Sequence, residues 1–437
     1  MKTPEEFLRG HGFTAADELD RTRLIAALLS EMEAGLAGEK SSLLMIPAYL
    51  GVEGRLPRGK TAAVLDAGGT NFRGGLVTVP PAVSGRRNQP MPGTRGAVGE
   101  EDFYAAFAGE LRRLMPEATV PVAGWCFSYP AEATADLDAR LLRWTKGIDC
   151  PAIVGEYVGR ELARRAGVAG VAVVNDTVAT LLAAKACEGE RLYSSYIGFI
   201  LGTGTNTAYV EKNRNISKLP GLDPEGSMII NAEVGAFDKL AVSDFDTAMD
   251  AATGAPGTQR LEKMMAGAYL GPIALEIFRA AAKEGFFSAR AVRALGELAA
   301  LETVDLDSFG AGAAIEGRAN PLDAIFSARD DARIARRLAL PVYERAAARA
   351  AVQLAAFAIK SGEGASPDAP IAINADGSTY YRTRSIPFAA TVKKELDELL
   401  SKRRNIHYEI VPEVADAPMV GAGIAAMLQH ERSGGER

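Results

Sequence analysis

The stretch VLDAGGTNFRGGLV, residues 64–77, places two apolar runs around a glycine turn and carries Asp66 near the end of the first run. Glycine has no Cβ and tolerates positive φ, so such a turn lets backbone N–H groups approach phosphate oxygens. The side chains of Thr70 and Asn71 add donors, Arg73 can neutralise phosphate charge, and Asp66 can hold a magnesium ion through water. These properties indicate a phosphate-binding turn. The alternative is that Asp66 and Arg73 simply pair across a β-hairpin.

The same arrangement occurs again in YIGFILGTGTNTAYVE, residues 196–211. Its tripeptide Gly204-Thr205-Asn206 follows Gly69-Thr70-Asn71 by 135 positions (204 minus 69), in the same strand–turn–strand setting. Two such units predict two related lobes that face each other across a cleft. The chain contains no GxxxxGK[ST] segment and no GxGxxG that opens a helix, which argues against a P-loop protein and a dinucleotide-binding fold.

A polar knuckle follows the apolar run VAVV, residues 171–174. The run delivers Asn175 and Asp176 to the carboxyl end of a predicted strand, where α/β proteins place their sites. An aspartate at that position can orient and deprotonate a substrate hydroxyl. It can equally cap the helix predicted to start at Thr177. The local sequence leaves both interpretations open.

The sequence predicts the local structure of three other segments. Thr14 followed by Asp17 resembles a capping box and predicts the start of a long amphipathic helix that ends at Gly35 or Gly38. Residues 80–99 are rich in proline and glycine and predict at most a ragged strand with loops. Near the end, VGAGIAAML predicts a glycine loop that leads into a helix.

Composition excludes several classes of function. The 437 residues carry a net charge of −6, which gives no electrostatic reason to expect nucleic acid or an anionic membrane as partner. The three cysteines show no CxxC spacing, and three histidines are too few for histidine-rich metal sites. The N-terminus lacks the apolar core of a signal peptide, and no apolar stretch reaches the length of a membrane span. We therefore expect a cytoplasmic protein of two lobes.

Several segments together resemble the successive signature segments of the hexokinase family, in the family's order and with similar spacing, from about residue 14 to residue 430. The resemblance implies an α/β protein of the two-lobed actin-like (ribonuclease H-like) class, with duplicated domains and a cleft between them. It also implies transfer of the γ-phosphoryl group of MgATP to the 6-hydroxyl of a hexose, with glucose as the first candidate. The segments are LDAGGTNFR, CFSYP, RWTKG, VVNDTVAT, ILGTGTNTAYVE, NAEVGAF, PGTQRLEKMMAGAYLG and ADGSTYYRT.

The resemblance also assigns roles by position, with Asp176 as the general base and Asn175 as a sugar ligand. Asp66 would face the magnesium ion, and Ser378 and Gly421 would lie near the nucleoside. Further sugar contacts would be Ser128, Thr145 and Lys146 from the small lobe and Asn206, Glu233 and Glu262 from the large lobe. The residues facing the phosphates of ATP would be Gly68, Gly69, Thr70, Asn71, Arg73, Gly204 and Thr205.

The predicted small lobe comprises residues 57–177 plus about 418–437, and the predicted large lobe comprises residues 1–56 plus 178–417. We expect a monomer or homodimer whose partners are a hexose and ATP, with no nucleic acid and no membrane. Two rival functions are a catalytically idle sugar sensor and an actin- or chaperone-like ATPase that binds no sugar. The presence of Asp66, Asp176 and both GTN turns argues against the first, and the segments FSYP, WTKG and QRLEKM argue against the second.

Overall fold

A computed structural model describes residues 2–54, 56, 58–187, 191–432 and 434. Its described strands are β1 (Ile46–Pro47), β2 (Thr61–Ala67), β3 (Asn71–Thr78), β4 (Ala82–Pro90), β5 (Val122–Phe127), β6 (Ala131–Ala133), β7 (Ala139–Leu141), β8 (Gly170–Val174), β9 (Ser195–Leu201), β10 (Thr205–Lys212), β11 (Ser227–Asn231), β12 (Ile371–Asp376) and β13 (Tyr408–Ile410). Its described helices are α1 (Pro4–Gly10), α2 (Arg21–Ala37), α3 (Glu100–Leu114), α4 (Val158–Ala166), α5 (Asp176–Ala186), α6 (Asp244–Ala251), α7 (Arg260–Lys263), α8 (Leu270–Lys283), α9 (Ala289–Glu297), α10 (Thr303–Ala311), α11 (Pro321–Ile325), α12 (Arg329–Ser361), α13 (Ser378–Arg382), α14 (Phe388–Leu396) and α15 (Ala417–Arg432).

Two mixed sheets with the same internal order form the framework. The first has the order β4-β3-β2-β5-β8, in which β4, β3 and β2 are antiparallel neighbours and β2, β5 and β8 run parallel. The second repeats this order as β11-β10-β9-β12-β13 and adds β1 at its edge. Each sheet thus combines an antiparallel meander with two parallel strands that crossover connections supply. The duplication predicted from the two GTN turns is confirmed as the two-lobed actin-like architecture.

The helices that follow the last strand of each unit cross between the sheets. α5 follows β8 of the first sheet but packs on β9 and β12 of the second. α15 follows β13 of the second sheet but packs on β5 and β2 of the first, and the two helices touch each other. Their contact is lined by small apolar side chains, including Ala183, Ala417 and Val420. The α5–α15 contact therefore links the sheets directly beneath the start of α5.

The central strands are buried on both faces, as expected for strands covered by helices on both sides. In β2, every residue after Thr61 is buried. Residues from about 261 to 361 are mainly helical, and this segment ends in α12, most of whose alanines are buried. The predicted lobe boundaries stay a prediction. Of the predicted small lobe, Pro57, Ser433 and residues 435–437 lie outside the described residues.

Two local predictions near the chain ends are wrong. The first long helix starts at Arg21 rather than near Thr14, because the Asp20 side chain accepts the Arg23 N–H at 3.0 Å and thereby caps it. Its C-terminal cap is Gly38, at φ 76°, which is one of the two predicted ends. The segment VGAGIAAML is not a glycine loop, because α15 already begins at Ala417.

Candidate functional site

The geometry of the knuckle after β8 excludes Asp176 as the helix cap, while its role as a base stays a prediction. Asn175 is the N-cap of α5, and its Oδ1 accepts the Thr177 N–H at 2.8 Å. Asp176 is the first residue of the helix, and its half-buried carboxylate accepts the Thr177 hydroxyl at 3.2 Å. The interpretation of Asp176 as the cap is therefore wrong. Its carboxylate keeps further lone pairs for a substrate, and the Asn175 amide keeps its N–H groups.

Asp66 and Asp176 lie at the same edge of the first sheet. Asp66 on β2 is the register partner of Cys126 on β5, and Cys126 is the partner of Val174 on β8, two residues before Asp176. Burial raises the pKa of the Cys126 thiol well above its usual value, and the charges of Asp66 and Asp176 raise it further. Two predicted site carboxylates thus flank one buried position.

The hairpin pair considered as an alternative for Asp66 is present. Asp66 and Arg73 are register partners, and the Arg73 Nε donates to Asp66 Oδ2 at 3.0 Å. A second guanidinium nitrogen, Nη1, donates to Asp416 at 2.9 Å. Burial alone would lower the pKa of Arg73, but the charge of Asp66 and its hydrogen bonds raise it. Asp66 is 7 % exposed, so the pair fixes a buried carboxylate at the cleft edge.

The first glycine turn is in contact with two of the predicted sugar segments. The Tyr129 hydroxyl donates to the Gly68 carbonyl. The Lys146 side chain lies against the turn, since a Cβ added to Gly69 would stand 3.6 Å from Lys146 Cδ. Lys146 Nζ also donates to the Ser128 carbonyl at 2.9 Å. The segments FSYP and WTKG and the turn therefore form one assembly.

Three more predicted residues stand beside this assembly. Thr70 and Asn71 are exposed, and Asn71 Nδ2 donates to Thr70 Oγ1 at 3.2 Å. Thr145 is half-buried, immediately before Lys146. All three can approach a ligand from the open side of the turn.

A partly buried amide–carboxylate network forms the opposing wall on the second sheet. Asn206 Nδ2 donates to Asn231 Oδ1 at 2.8 Å and to Glu233 Oε1 at 3.1 Å. Asn231 Nδ2 donates to the same Glu233 oxygen at 2.8 Å. The Asn206 Oδ1 accepts the backbone N–H of Thr207 and of Val234. All polar groups of the Asn206 side chain are therefore used within the protein, and Asn206 orients Glu233.

Glu233 and Asp176 influence each other across the cleft. Glu233 adopts a left-handed backbone at φ 56°. Burial raises the pKa of its carboxyl group, hydrogen bonds from Asn231 and Asn206 oppose that rise, and the charge of Asp176 adds to it. Asn231 was missed by sequence reasoning, although it ends the apolar strand SMIIN in the manner of the other site residues.

Glu262 occupies the second glycine turn. Its Oε2 accepts the Thr205 N–H at 3.0 Å, and a Cβ added to Gly204 would stand 2.5 Å from the same oxygen. The Thr205 hydroxyl donates to the Ile200 carbonyl at 2.9 Å. Burial and the charge of Glu233 raise the pKa of Glu262. The close packing of Glu262 thus leaves no room for a side chain at position 204. The contact of Gly204 and Thr205 with phosphates stays a prediction.

A third turn supplies another carboxylate, Asp376, which sequence reasoning did not select. Asp376 ends β12 beside β9, and Gly377 follows it at φ 116°. Burial raises the pKa of Asp376, and the charge of Asp176 contributes to the rise. The signal was available, because Asp376 follows an apolar strand as Asp66 and Asp176 do.

Ser378 is exposed next to this turn and lines a separate cavity. The cavity adjoins the second glycine turn, since the Gly202 carbonyl accepts the Gly267 N–H at 2.7 Å and the Thr379 hydroxyl at 2.8 Å. Its lining consists of Thr203, Gly267, Ala268, Glu302, Thr303, Val304, Asp307, Ser378, Thr379, Arg382 and Thr383.

Gly421 lies in the contact between helices rather than at a ligand-accessible surface. It is buried in α15, and a Cβ added there would stand 1.9 Å from the Ala179 carbonyl oxygen of α5. The structure explains this glycine by the close helix–helix approach that it permits, and the predicted place of Gly421 near a nucleoside stays a prediction.

The central cavity of the cleft is bounded by both sheets. Asn175 of the first unit and Glu233 of the second line it together, as do Arg143 and Gln259, which sequence reasoning missed. Six other residues predicted to act on the sugar lie outside its lining, namely Ser128, Thr145, Lys146, Asp176, Asn206 and Glu262. The other lining residues are Leu44, Ile46, Pro47, Ala48, Phe127, Tyr129, Pro130, Ala131, Ala133, Ala139, Leu142, Val173, Val174, Val178, Asn231 and Ala236.

The described residues contain neither a metal-binding cluster nor a membrane-spanning helix. None of them forms a cluster of three or more His, Cys, Asp or Glu side chains suited to a metal ion. A magnesium ion held mainly by phosphates and water needs only one or two carboxylates, and Asp66 fits that requirement. Among the helices of the described ranges, none has the length and hydropathy needed to span a membrane.

Comparisons with known proteins agree with this arrangement. Hexokinase family models match residues 13–186 and 196–428. The chain is 34 % identical over 312 residues to Hexokinase-5 of Oryza sativa subsp. japonica, covering 63 % of this chain and 56 % of that protein. It is 35 % identical over 314 residues to Hexokinase-1 of Nicotiana tabacum, covering 64 % of this chain and 61 % of that protein. The matches thus span about three-fifths of the length of these relatives.

A solved structure gives the same result over the whole fold. Hexokinase from Schistosoma mansoni complexed with glucose superimposes with a TM-score of 0.75 at 26 % identity, covering 98 % of this chain and 100 % of that chain. One family model alone matches more than half of the residues. The chain therefore belongs to the hexokinase family.

Proposed function

We propose that the chain is an ATP-dependent hexokinase that phosphorylates the 6-hydroxyl of a hexose, with glucose as the first substrate to test. The observation that carries the proposal is that Asn175, the residue before Asp176, and Glu233 line one cavity from opposite sheets, with the charge of Asp176 acting on Glu233. The relative from Schistosoma mansoni, which matches the entire fold, is described with glucose bound. An open carboxylate facing a partly buried set of amides and carboxylates suits a neutral ligand rich in hydroxyl groups.

Recognition of the sugar falls to groups whose bonds within the protein are incomplete. Glu233 and Glu262 offer carboxylate oxygens to hydroxyl donors, and Asn175 offers amide N–H groups because only its oxygen is used as a cap. A buried polar group left unpaired costs about 1–3 kcal/mol, so a sugar with the wrong hydroxyl pattern is rejected. Asn206 acts by holding Glu233 in place.

The chemical step needs one proton acceptor. As the O6–Pγ bond forms and the bond from Pγ to the leaving β-phosphate oxygen breaks, the Asp176 carboxylate takes the proton of the 6-hydroxyl, and ADP leaves. Phosphoryl transfer passes through a loose transition state, so positioning and charge neutralisation supply most of the catalysis. Arg73, Thr70 and Asn71 would face the phosphates. A magnesium ion, when bound beside Asp66, supplies charge neutralisation to the phosphates.

Closure of the lobes is part of the proposal. Ser128, Thr145 and Lys146 belong to the predicted sugar set but lie outside the lining of the open cavity. They form one assembly with the first glycine turn, so a rotation of that lobe would bring all of them onto the sugar together. Closure would also exclude water, which competes for the phosphoryl group.

A substrate panel tests the function. Purified protein is incubated with glucose, mannose, fructose or no sugar, crossed with ATP and other phosphoryl donors, and both ADP and hexose 6-phosphate are quantified. We expect equal amounts of the two products only when a hexose and ATP are both present. Hexose binding without turnover would support the sugar sensor. ADP formation at the same rate with and without hexose would support the sugar-independent ATPase.

A further inference from the structure

Arg143 is a charged residue of the central cavity that the proposed mechanism does not use. It follows β7 at the end of a hairpin, where the Leu142 N–H donates to the Pro130 carbonyl at 3.0 Å. It is exposed and lines the cavity shared by the two sheets. Among the residues that the structure describes, none forms a hydrogen bond or ion pair with Arg143, so its guanidinium presents five free donors.

Glu233 lines the same cavity as Arg143 and is its charged counterpart there. Glu233 is fixed in one wall by Asn206 and Asn231, whereas Arg143 follows the separate β6–β7 hairpin. The positive charge of Arg143 lowers the pKa of Glu233, opposing the larger effect of burial. A sugar bound against Glu233 therefore lies in the field of both a carboxylate and an unpaired guanidinium.

We propose that Arg143 determines acceptor specificity by donating hydrogen bonds to the sugar on the Glu233 side and by excluding sugars that carry a positive charge there. The inference rests on the proposed function, since it names the acceptor class of the same site. Glu233 and Glu262 alone would attract the ammonium group of an amino sugar. Arg143 offsets that attraction and favours neutral hexoses.

Steady-state kinetics of Arg143→Met and Arg143→Lys test this inference with glucose and the 2-amino sugar glucosamine. Loss of a charge-assisted hydrogen bond should raise the KM for glucose about tenfold in Arg143→Met with little change in kcat. In the same variant, the ratio of kcat/KM for glucosamine to that for glucose should rise by about tenfold or more at a pH below the pKa of the sugar amine. Arg143→Lys should keep most of the discrimination.

The pH and a matched variant supply the controls. The change in ratio should shrink at a pH above the pKa of the amine, because the amine is then neutral. Arg140→Met is the control, because Arg140 belongs to the same hairpin but pairs with Glu132 and lies outside the cavity lining. An unchanged ratio at low pH in Arg143→Met would overturn the inference. Wild-type protein without hexose-dependent turnover would overturn the proposed function instead, and calorimetric affinities for the two sugars would then give the same ratio test.

Discussion

Replacement of Gly421 by alanine should separate α5 from α15 and disturb Asp176 from a distance. The added Cβ would stand 1.9 Å from the Ala179 carbonyl oxygen, whereas ordinary contact begins at 3.4 Å. The helices must therefore move apart by about 1.5 Å, the difference between those distances. Overpacking of this kind costs about 1–3 kcal/mol. Since Asp176 stands at the N-terminus of α5, one turn before Ala179, a displacement of about 1 Å there can lower kcat by up to ~100-fold.

Gly109→Ala is the matched control. Gly109 also lies within a helix, but a Cβ added there would have no neighbour within 4 Å. Alanine in place of glycine in an open helical position should stabilise the protein by about 0.5–1 kcal/mol. The two identical substitutions should therefore change the free energy of unfolding with opposite signs.

The assay is urea denaturation combined with steady-state kinetics. Thermal midpoints are a weak readout here, because each kcal/mol moves the Tm of a chain of this length by only about 1 °C. We expect Gly421→Ala to lower the urea midpoint and kcat while leaving the KM for ATP nearly unchanged. A variant with normal stability and a raised KM for ATP would refute the packing argument and support Gly421 as a nucleoside contact.

Three further predictions concern stability, the cavity beside Ser378 and the hydrogen-bond network around Glu233. Burial raises the pKa of Asp246, but the charge of Arg345 and its hydrogen bonds lower that pKa to about 2. The lowered pKa contributes ~2 kcal/mol to the free energy of unfolding, which should be present above pH 4 and lost as the pH falls towards 2. Asp246→Asn should lower the free energy of unfolding by about 3–5 kcal/mol at pH 7, because it leaves the charges of Arg345 and Arg349, which are at most 2 % exposed, without their partner. Urea titrations that show the same acid sensitivity in the variant and the wild type would contradict this. Ala268→Trp should fill the cavity beside Ser378 and raise the KM for ATP about tenfold with the KM for hexose unchanged, whereas an equal rise in both would place the nucleoside elsewhere. Asn231→Ala removes a hydrogen-bond donor that lowers the pKa of Glu233, so the pKa of Glu233 should rise further. The KM for hexose should then begin to increase at a higher pH than in the wild type as the pH is lowered. Identical pH profiles of KM would contradict the role of this network.

The strand–turn–strand units could be read from the sequence because apolar runs and glycine turns are local signals. Asp66 and Asp176 were found in the same way, since each follows an apolar strand, and the structure brings them to one sheet edge. The order of the strands was not readable, because pairing between β2 and β5 or β9 and β12 joins residues far apart in the chain.

The errors have physical causes of the same kind. Alternating glycine in VGAGIAAML resembles a loop, but Gly421 meets a second helix that lies more than 200 residues earlier in the chain, so its close approach leaves no local signal. The capping residue of the first long helix was misplaced because Thr14 and Asp20 are both good caps, and tertiary packing selects between them. Arg143 was missed because an exposed arginine in a loop has no distinctive pattern until the opposite wall is known.

Turnover by Asp176→Asn tests most directly whether the carboxylate at the start of α5 accepts the proton of the hexose. Hexose 6-phosphate formation at saturating ATP and glucose is measured together with the calorimetric Kd for glucose, and exposed Asp368→Asn serves as the matched control. We predict that kcat falls by about 100- to 10,000-fold in Asp176→Asn while the Kd for glucose changes by only a few-fold. Near-normal turnover in that variant, with glucose bound as in the wild type, would contradict the account.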